Sequence, residues 1–119
     1  MQHIGVDIIE IARIAEAIQR FGKVFLERIY TQKEIDAYKD KLPSLAVRFS
    51  GKEAVIKALD APGTSPRDIE ILSSPEGKPL VTLYGKAKGK AERLGIYHLD
   101  ITLSHARDYA VAFVVGQSA

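Results

Sequence analysis

Between Ile4 and Ile18 the chain switches hydrophobic period once, and no other feature limits its fold as strongly. Ile4, Val6 and Ile8 alternate with Gly5 and Asp7, a period of two that predicts a β-strand running into the next element. The spacing then becomes Ile11, Ile14, Ala15, Ile18, the i, i+3, i+4, i+7 stripe of a short amphipathic helix ending near Gly22. Alternation sets Asp7 on the strand face opposite the three apolar residues. The helix's other face carries Arg13, Glu16 and Arg20.

Further along, Thr31 followed three residues later by Glu34 has the form of a capping box, so a second helix starts there and runs toward Lys41. Pro43 stops it or opens the next, which reads as a longer helix over residues 44–59. Asp60-Ala-Pro-Gly-Thr-Ser-Pro is a loop. The remainder reads as strand over 69–72, a turn at Glu76-Gly77, strand over 79–83, a basic helix over 86–94, and strands over 97–103 and 109–115. Residues 104–108 join the last two as an antiparallel hairpin. Helices clustered in the first half and strands in the second argue α+β.

The 119 residues suit one domain over 1–119, and 46% hydrophobic residues supply a core. With 17 Lys and Arg against 15 Asp and Glu, the net charge of +2 disfavours a dedicated nucleic-acid or membrane-surface protein. Cysteine is absent, which excludes disulfides, thiolate metal sites and Cys nucleophiles. Residues 1–14, MQHIGVDIIEIARI, show neither a positively charged leader nor a long apolar core, and no apolar run elsewhere approaches the roughly 20 residues of a membrane span. A soluble, cytoplasmic protein is expected.

Asp7, in a strand otherwise rich in Ile, is open to two readings: a carboxylate on the wet face of an edge strand, or a charge placed for use. Glu53 and Lys57 share a helical face at i, i+4, the spacing of an ordinary surface ion pair. The functional alternative needs a second carboxylate, because Mg²⁺ takes one or two protein carboxylates and completes its shell with water and phosphate oxygens. Asp7 is available for that. Ser104-His105 follows a predicted strand, but no nucleophile elbow accompanies it, so a serine hydrolase is rejected. His3 and His98 read as surface or packing residues, and Lys86, Lys88, Lys90 and Arg93 as a solvated helix face. Neither a Walker-type Gly-Lys-Ser/Thr spacing nor a dinucleotide glycine fingerprint is present.

Three segments taken together go further: Ile4-Gly-Val-Asp-Ile-Ile-Glu-Ile-Ala-Arg-Ile, Arg48-Phe-Ser-Gly-Lys-Glu-Ala-Val-Ile-Lys-Ala-Leu, and Leu103-Ser-His-Ala-Arg-Asp-Tyr-Ala-Val-Ala-Phe-Val-Val. In order, spacing and total length they resemble the signature blocks of the holo-[acyl-carrier-protein] synthases, the small stand-alone group of the 4′-phosphopantetheinyl transferase superfamily. Gly77-Lys78-Pro79 resembles a shorter landmark of that family.

The resemblance implies helices packed on a mainly antiparallel sheet, homotrimers with active sites between subunits, and transfer of 4′-phosphopantetheine from coenzyme A to a serine of apo acyl carrier protein, in support of fatty acid biosynthesis. Asp7 and Glu53 would hold Mg²⁺, Lys57 would meet the pyrophosphate, and Ser104 and His105 would line the coenzyme A site with Arg48. Arg13 and Arg20 would dock the acidic carrier protein. Catalysis would then be positioning plus electrostatic stabilisation, with Glu53 or a metal-bound water as base. A non-catalytic coenzyme A or carrier-binding module is the competing class, and retention of Asp7, Glu53 and Lys57 together argues against it. Two departures stand out: Ser50-Gly51 where the family favours alanines, and Asp60-Ala-Pro-Gly-Thr-Ser65 where it favours Gly-Thr-Gly. Gly51 inside a helix costs about 1 kcal/mol relative to Ala, which implies a kink or a close approach there.

Overall fold

The computed structural model describes residues 1–119 and contains the α+β mixture expected, as five helices and five strands. β1 (Gln2–Glu10) passes directly into α1 (Ile11–Phe21). α2 (Lys23–Ile29), α3 (Gln32–Tyr38) and α4 (Leu42–Leu59) follow, then a 3₁₀ turn (Pro66–Asp68) and the pair β2 (Ile69–Ser73) and β3 (Pro79–Leu83). α5 (Gly85–Leu94), β4 (Ile96–His105) and β5 (Tyr109–Ser118) complete the chain. One antiparallel sheet runs β1-β5-β4, and β2 and β3 form a separate antiparallel hairpin. No helix is long and apolar enough to cross a membrane.

Local signals account for most of these boundaries. The capping box forms with both hydrogen bonds, Glu34 amide to Thr31 Oγ1 at 3.3 Å and Thr31 amide to Glu34 Oε1 at 2.8 Å. α3 nevertheless ends at Tyr38, short of Lys41. Pro43 lies in the first turn of α4, where its missing N–H has no helical partner to lose. α2 was not expected from the sequence, because Val24, Phe25, Leu26 and Ile29 give too short a stripe to separate from a loop. β4 continues through Ser104 and His105, so both belong to a strand and not to the hairpin connection.

α4 is the centre of the molecule. Ala54, Val55 and Leu59 pack with Ile69 and Ile71 of β2, Ala87 and Ala91 of α5, and Ala112 and Val114 of β5. Leu45, Ala46 and Val47, nearer its start, pack with Ile11, Ile14, Ile29, Tyr30 and Ala110. Two glycines permit this crowding. A Cβ on Gly5 would stand 1.9 Å from the Ala54 carbonyl oxygen, so only glycine lets β1 lie against α4. On Gly51 it would meet Ile71 Cδ1 at 2.6 Å and Leu103 Cδ2 at 3.2 Å. Gly51 is therefore a point of close approach, which explains a glycine in mid-helix.

β1 turns its faces in an unexpected way. Ile4, Val6 and Ile8 are 54%, 51% and 64% exposed, whereas Gly5 is buried and Asp7 faces α4. The wet-face reading of Asp7 is overturned, because the apolar residues take the outside. Register pairs Ile4 with Val115, Val6 with Phe113 and Ile8 with Val111, making one continuous apolar strip on the outer face of the sheet.

Candidate active site

Gly5 brings β1 against the turn of α4 that contains Ala54 and Ala58, and two residues later the strand delivers Asp7 beside the next exposed part of that helix. The Lys57 ammonium reaches back across the gap. It donates to the Val6 carbonyl at 3.0 Å and to Asp7 Oδ1 at 3.1 Å. The Asp7 side chain is 16% exposed and that of Lys57 56%, so the pair sits at the rim of the fold with its carboxylate turned inward.

Glu53, one helical turn before Lys57, does not form the ion pair that i, i+4 spacing suggested; Lys57 is committed to β1 instead. Burial raises the proton affinity of Glu53 above the usual carboxylate range. The negative charge of Asp7 adds to that shift, and Lys57 opposes it. The ammonium thus binds one carboxylate, Asp7, and acts on the other, Glu53, only through space.

This donor set fits Mg²⁺. The oxygens are hard and anionic, and no third carboxylate or imidazole joins them, which leaves positions for water and phosphate oxygens in the manner this ion prefers. An open cavity of about 250 Å³ adjoins Lys57, lined by Ile56, Lys57, Asp60, Ala61 and Pro62. A larger hollow, about 300 Å³ between β3, α5 and β4, lies at Val81, Leu83, Ala91, Ile96 and Leu99, away from the carboxylates.

The remaining candidates are placed elsewhere. Ser104 lies on the outer face of the sheet opposite Val111, and His105, the last residue of β4, is exposed opposite Ala110. Register sets Asp7 level with Ala112 and Leu103, so His105 is two strands across and two residues along, about 12 Å away by ordinary sheet spacing. Arg48 departs furthest from its expected part in a coenzyme A site. It is only 4% exposed, and its guanidinium donates to the Ile71 carbonyl at 2.8 Å, Ser73 Oγ at 2.9 Å and the Ser44 carbonyl at 3.3 Å while lying 3.6 Å over the Tyr38 ring. It braces α4 to β2.

Arg13 and Arg20 are exposed two turns apart on α1. Beside them α1 and α2 form an apolar hollow of about 260 Å³ from Ala17, Phe21, Val24, Phe25 and Arg28, with Phe21 57% and Val24 69% exposed. The sequence reading missed this hollow because it missed α2.

A family model for the 4′-phosphopantetheinyl transferase superfamily matches residues 3–114. A holo-[acyl-carrier-protein] synthase of Dehalococcoides mccartyi strain CBDB1 is 55% identical over 118 residues, covering 98% of this chain and 99% of the relative. Among solved structures, a Helicobacter pylori holo-[acyl-carrier-protein] synthase in complex with coenzyme A superposes with a TM-score of 0.86 at 41% identity, covering 96% of this chain and 99% of that one. An ACPS–coenzyme A complex from Chronobacterium ammoniagenes gives a TM-score of 0.87 at 28% identity, covering 100% and 98%. The family model spans most of the chain and the relatives match it along nearly their whole length with the same fold, so the chain belongs to the 4′-phosphopantetheinyl transferase superfamily.

Proposed function

We propose that this chain, acting as one domain over residues 1–119, transfers 4′-phosphopantetheine from coenzyme A to a serine of an apo acyl carrier protein. The observation that carries the reading is the convergence of Asp7, Glu53 and Lys57 where β1 meets α4. The serine Oγ attacks the phosphorus that bears the pantetheine arm. A new P–O bond forms, the bridging P–O bond of the pyrophosphate breaks, and adenosine 3′,5′-bisphosphate leaves.

Negative charge grows on the bridging and nonbridging oxygens, and fixed positive charge at that point lowers the barrier. Lys57 supplies one such charge. Mg²⁺ held by Asp7 and Glu53 would supply Lewis-acid neutralisation of the pyrophosphate oxygens. Glu53, beside Asp7 and Lys57, is the carboxylate proposed to take the hydroxyl proton of the serine. The nucleophile belongs to the carrier, so the lack of cysteine in this chain is no obstacle.

Homotrimer assembly is part of the proposal. Its support is the apolar strip of Ile4, Val6, Ile8, Val111, Phe113 and Val115 on the outer face of the sheet. Association over that face, where Ser104 also lies, would let Ser104 and His105 of one copy serve the Asp7, Glu53 and Lys57 of another. Arg13 and Arg20 are proposed to dock the acidic carrier protein, with Phe21 and Val24 offering it an apolar contact. The setting is the cytoplasm and the supply of holo carrier protein for fatty acid biosynthesis. Incubation with coenzyme A, Mg²⁺ and apo acyl carrier protein tests the function: the carrier should gain the mass of one phosphopantetheine, and an unchanged mass refutes it.

A further inference from the structure

β2 pairs with β3 on one side and has no strand on the other. Buried backbone groups need partners, and along this open edge four side chains supply them. Lys52 donates to the Ile69 carbonyl. Glu34 Oε2 accepts from the Ile71 amide at 2.8 Å, Arg48 donates to the Ile71 carbonyl at 2.8 Å, and the Tyr38 hydroxyl accepts from the Ser73 amide at 3.1 Å. Cations meet carbonyls and oxygens meet amides in alternation, as a neighbouring strand would do it. Arg48 and Lys52 come from successive turns of α4, Glu34 and Tyr38 from α3.

At the middle of this ladder Lys52 and Glu34 form an ion pair at 2.6 Å, with side chains 1% and 0% exposed. Lys52 also donates to the Pro66 carbonyl at 3.1 Å, and Glu34 Oε1 also accepts from the Thr31 amide. Burial pulls the proton affinity of Lys52 down, and the charge of Glu34 opposes that. A buried pair is weak evidence for stability, because apolar side chains of similar volume often do as well. Directionality is what it adds. With all three N–H bonds of Lys52 aimed at α3, the 3₁₀ turn and β2, α4 has one rotation about its own axis.

That rotation decides where the next residue points. Neighbours on a helix diverge by about 100°, so directing Lys52 at β2 directs Glu53 toward β1 and Asp7. The close approach of Gly5 to Ala54 and Ala58 sets the spacing between α4 and β1. We propose that Lys52 and Glu34 are positioning residues: their buried pair, locked to the open edge of β2, sets the rotation of α4 that holds the Glu53 carboxylate against Asp7. This rests on the reading of Asp7 and Glu53 as a metal site.

The test uses Mn²⁺ alone as probe, titrated through the paramagnetic resonance signal of the free ion, with circular dichroism as the check on folding. Lys52→Met removes the ammonium but leaves Glu34 buried and unpaired, so Glu34→Gln/Lys52→Met, which removes both charges, is measured beside it. Wild type should bind Mn²⁺ and Glu53→Gln should not. The Lys52 variants that fold should bind about 10- to 100-fold more weakly, the loss typical when a group orienting a ligand is removed, with the Michaelis constant for the carrier unchanged. Wild-type Mn²⁺ affinity in either folded variant overturns the positioning role. Failure of wild type to bind, or equal binding by Glu53→Gln, overturns the metal-site reading instead, and the inference with it.

Discussion

Lys57 and Asp7, 50 residues apart in the chain, meet at 3.1 Å because a glycine two residues before the aspartate lets β1 touch α4. The same ammonium holds the Val6 carbonyl. Burial, and then the negative charge of Asp7, raise the proton affinity of Glu53, and Lys57 opposes both.

Glu53→Gln should stabilise the metal-free protein at neutral pH. Because its proton affinity is raised in the folded state, the folded chain binds this proton more tightly than the unfolded one. Stability therefore falls as pH rises from the ordinary value of 4.5 through the folded pKa, and the penalty is fully present above it. Thermal melts in chelator should place Glu53→Gln above wild type at neutral pH, with the gap closing on acidification. Added Mg²⁺ should raise the melting temperature of wild type only.

Gly5→Ala should be severe. The new methyl would press on the backbone oxygen of Ala54 rather than on a flexible side chain, so β1 must move off α4 at a cost of at least about 2 kcal/mol. Urea unfolding should show the loss as an earlier midpoint, and transfer should fall further than stability alone explains, since Asp7 moves with the strand.

Reversing Arg13 and Arg20 to Glu should raise the Michaelis constant for the carrier on the order of tenfold, the equivalent of about 1.4 kcal/mol, and leave that for coenzyme A alone. Rim charges act mostly on encounter and orientation. Salt should mimic the double reversal selectively, because exposed attractions beyond a Debye length of about 8 Å are screened at physiological ionic strength. Equal effects on both substrates would remove α1 as the docking surface.

Val6→Asp should break self-association without unfolding the chain. Val6 is half exposed and paired with Phe113 in the middle of the outer apolar strip, where a carboxylate is tolerable in water and costly in an interface. Light scattering should give a trimer for wild type and a smaller species for the variant.

Much of this was legible in the residues. The period change near Ile11, the Thr31–Glu34 box and Pro43 located elements because each acts through bonds within a few residues. The orientation of β1 was not legible. Alternation alone says that Asp7 and Ile8 differ in face, but which face is inside depends on Gly5 meeting α4, a contact made across some fifty residues of chain. Lys57 misled for the same reason, since its nearest charge in sequence is Glu53 and its partner in space is Asp7. Arg48 and Lys52 carried no local sign of burial, because the strand edge they satisfy is created only when β2 docks. Gly51 did carry one: a glycine in mid-helix implied a close neighbour, and Ile71 is that neighbour.

If Asp7, Glu53 and Lys57 together perform the transfer, the rate at which apo carrier gains phosphopantetheine mass must depend on each of them, measured for wild type, Asp7→Ala, Glu53→Gln and Lys57→Ala, with Mg²⁺ and with chelator. Electrostatic stabilisation of several kcal/mol corresponds to about 10²–10³ in rate. Each variant should lose that much while keeping its circular dichroism spectrum, and chelator should silence wild type. Wild-type rates in Asp7→Ala or Glu53→Gln, or transfer indifferent to chelator, would show that these carboxylates and a metal ion do not perform the transfer.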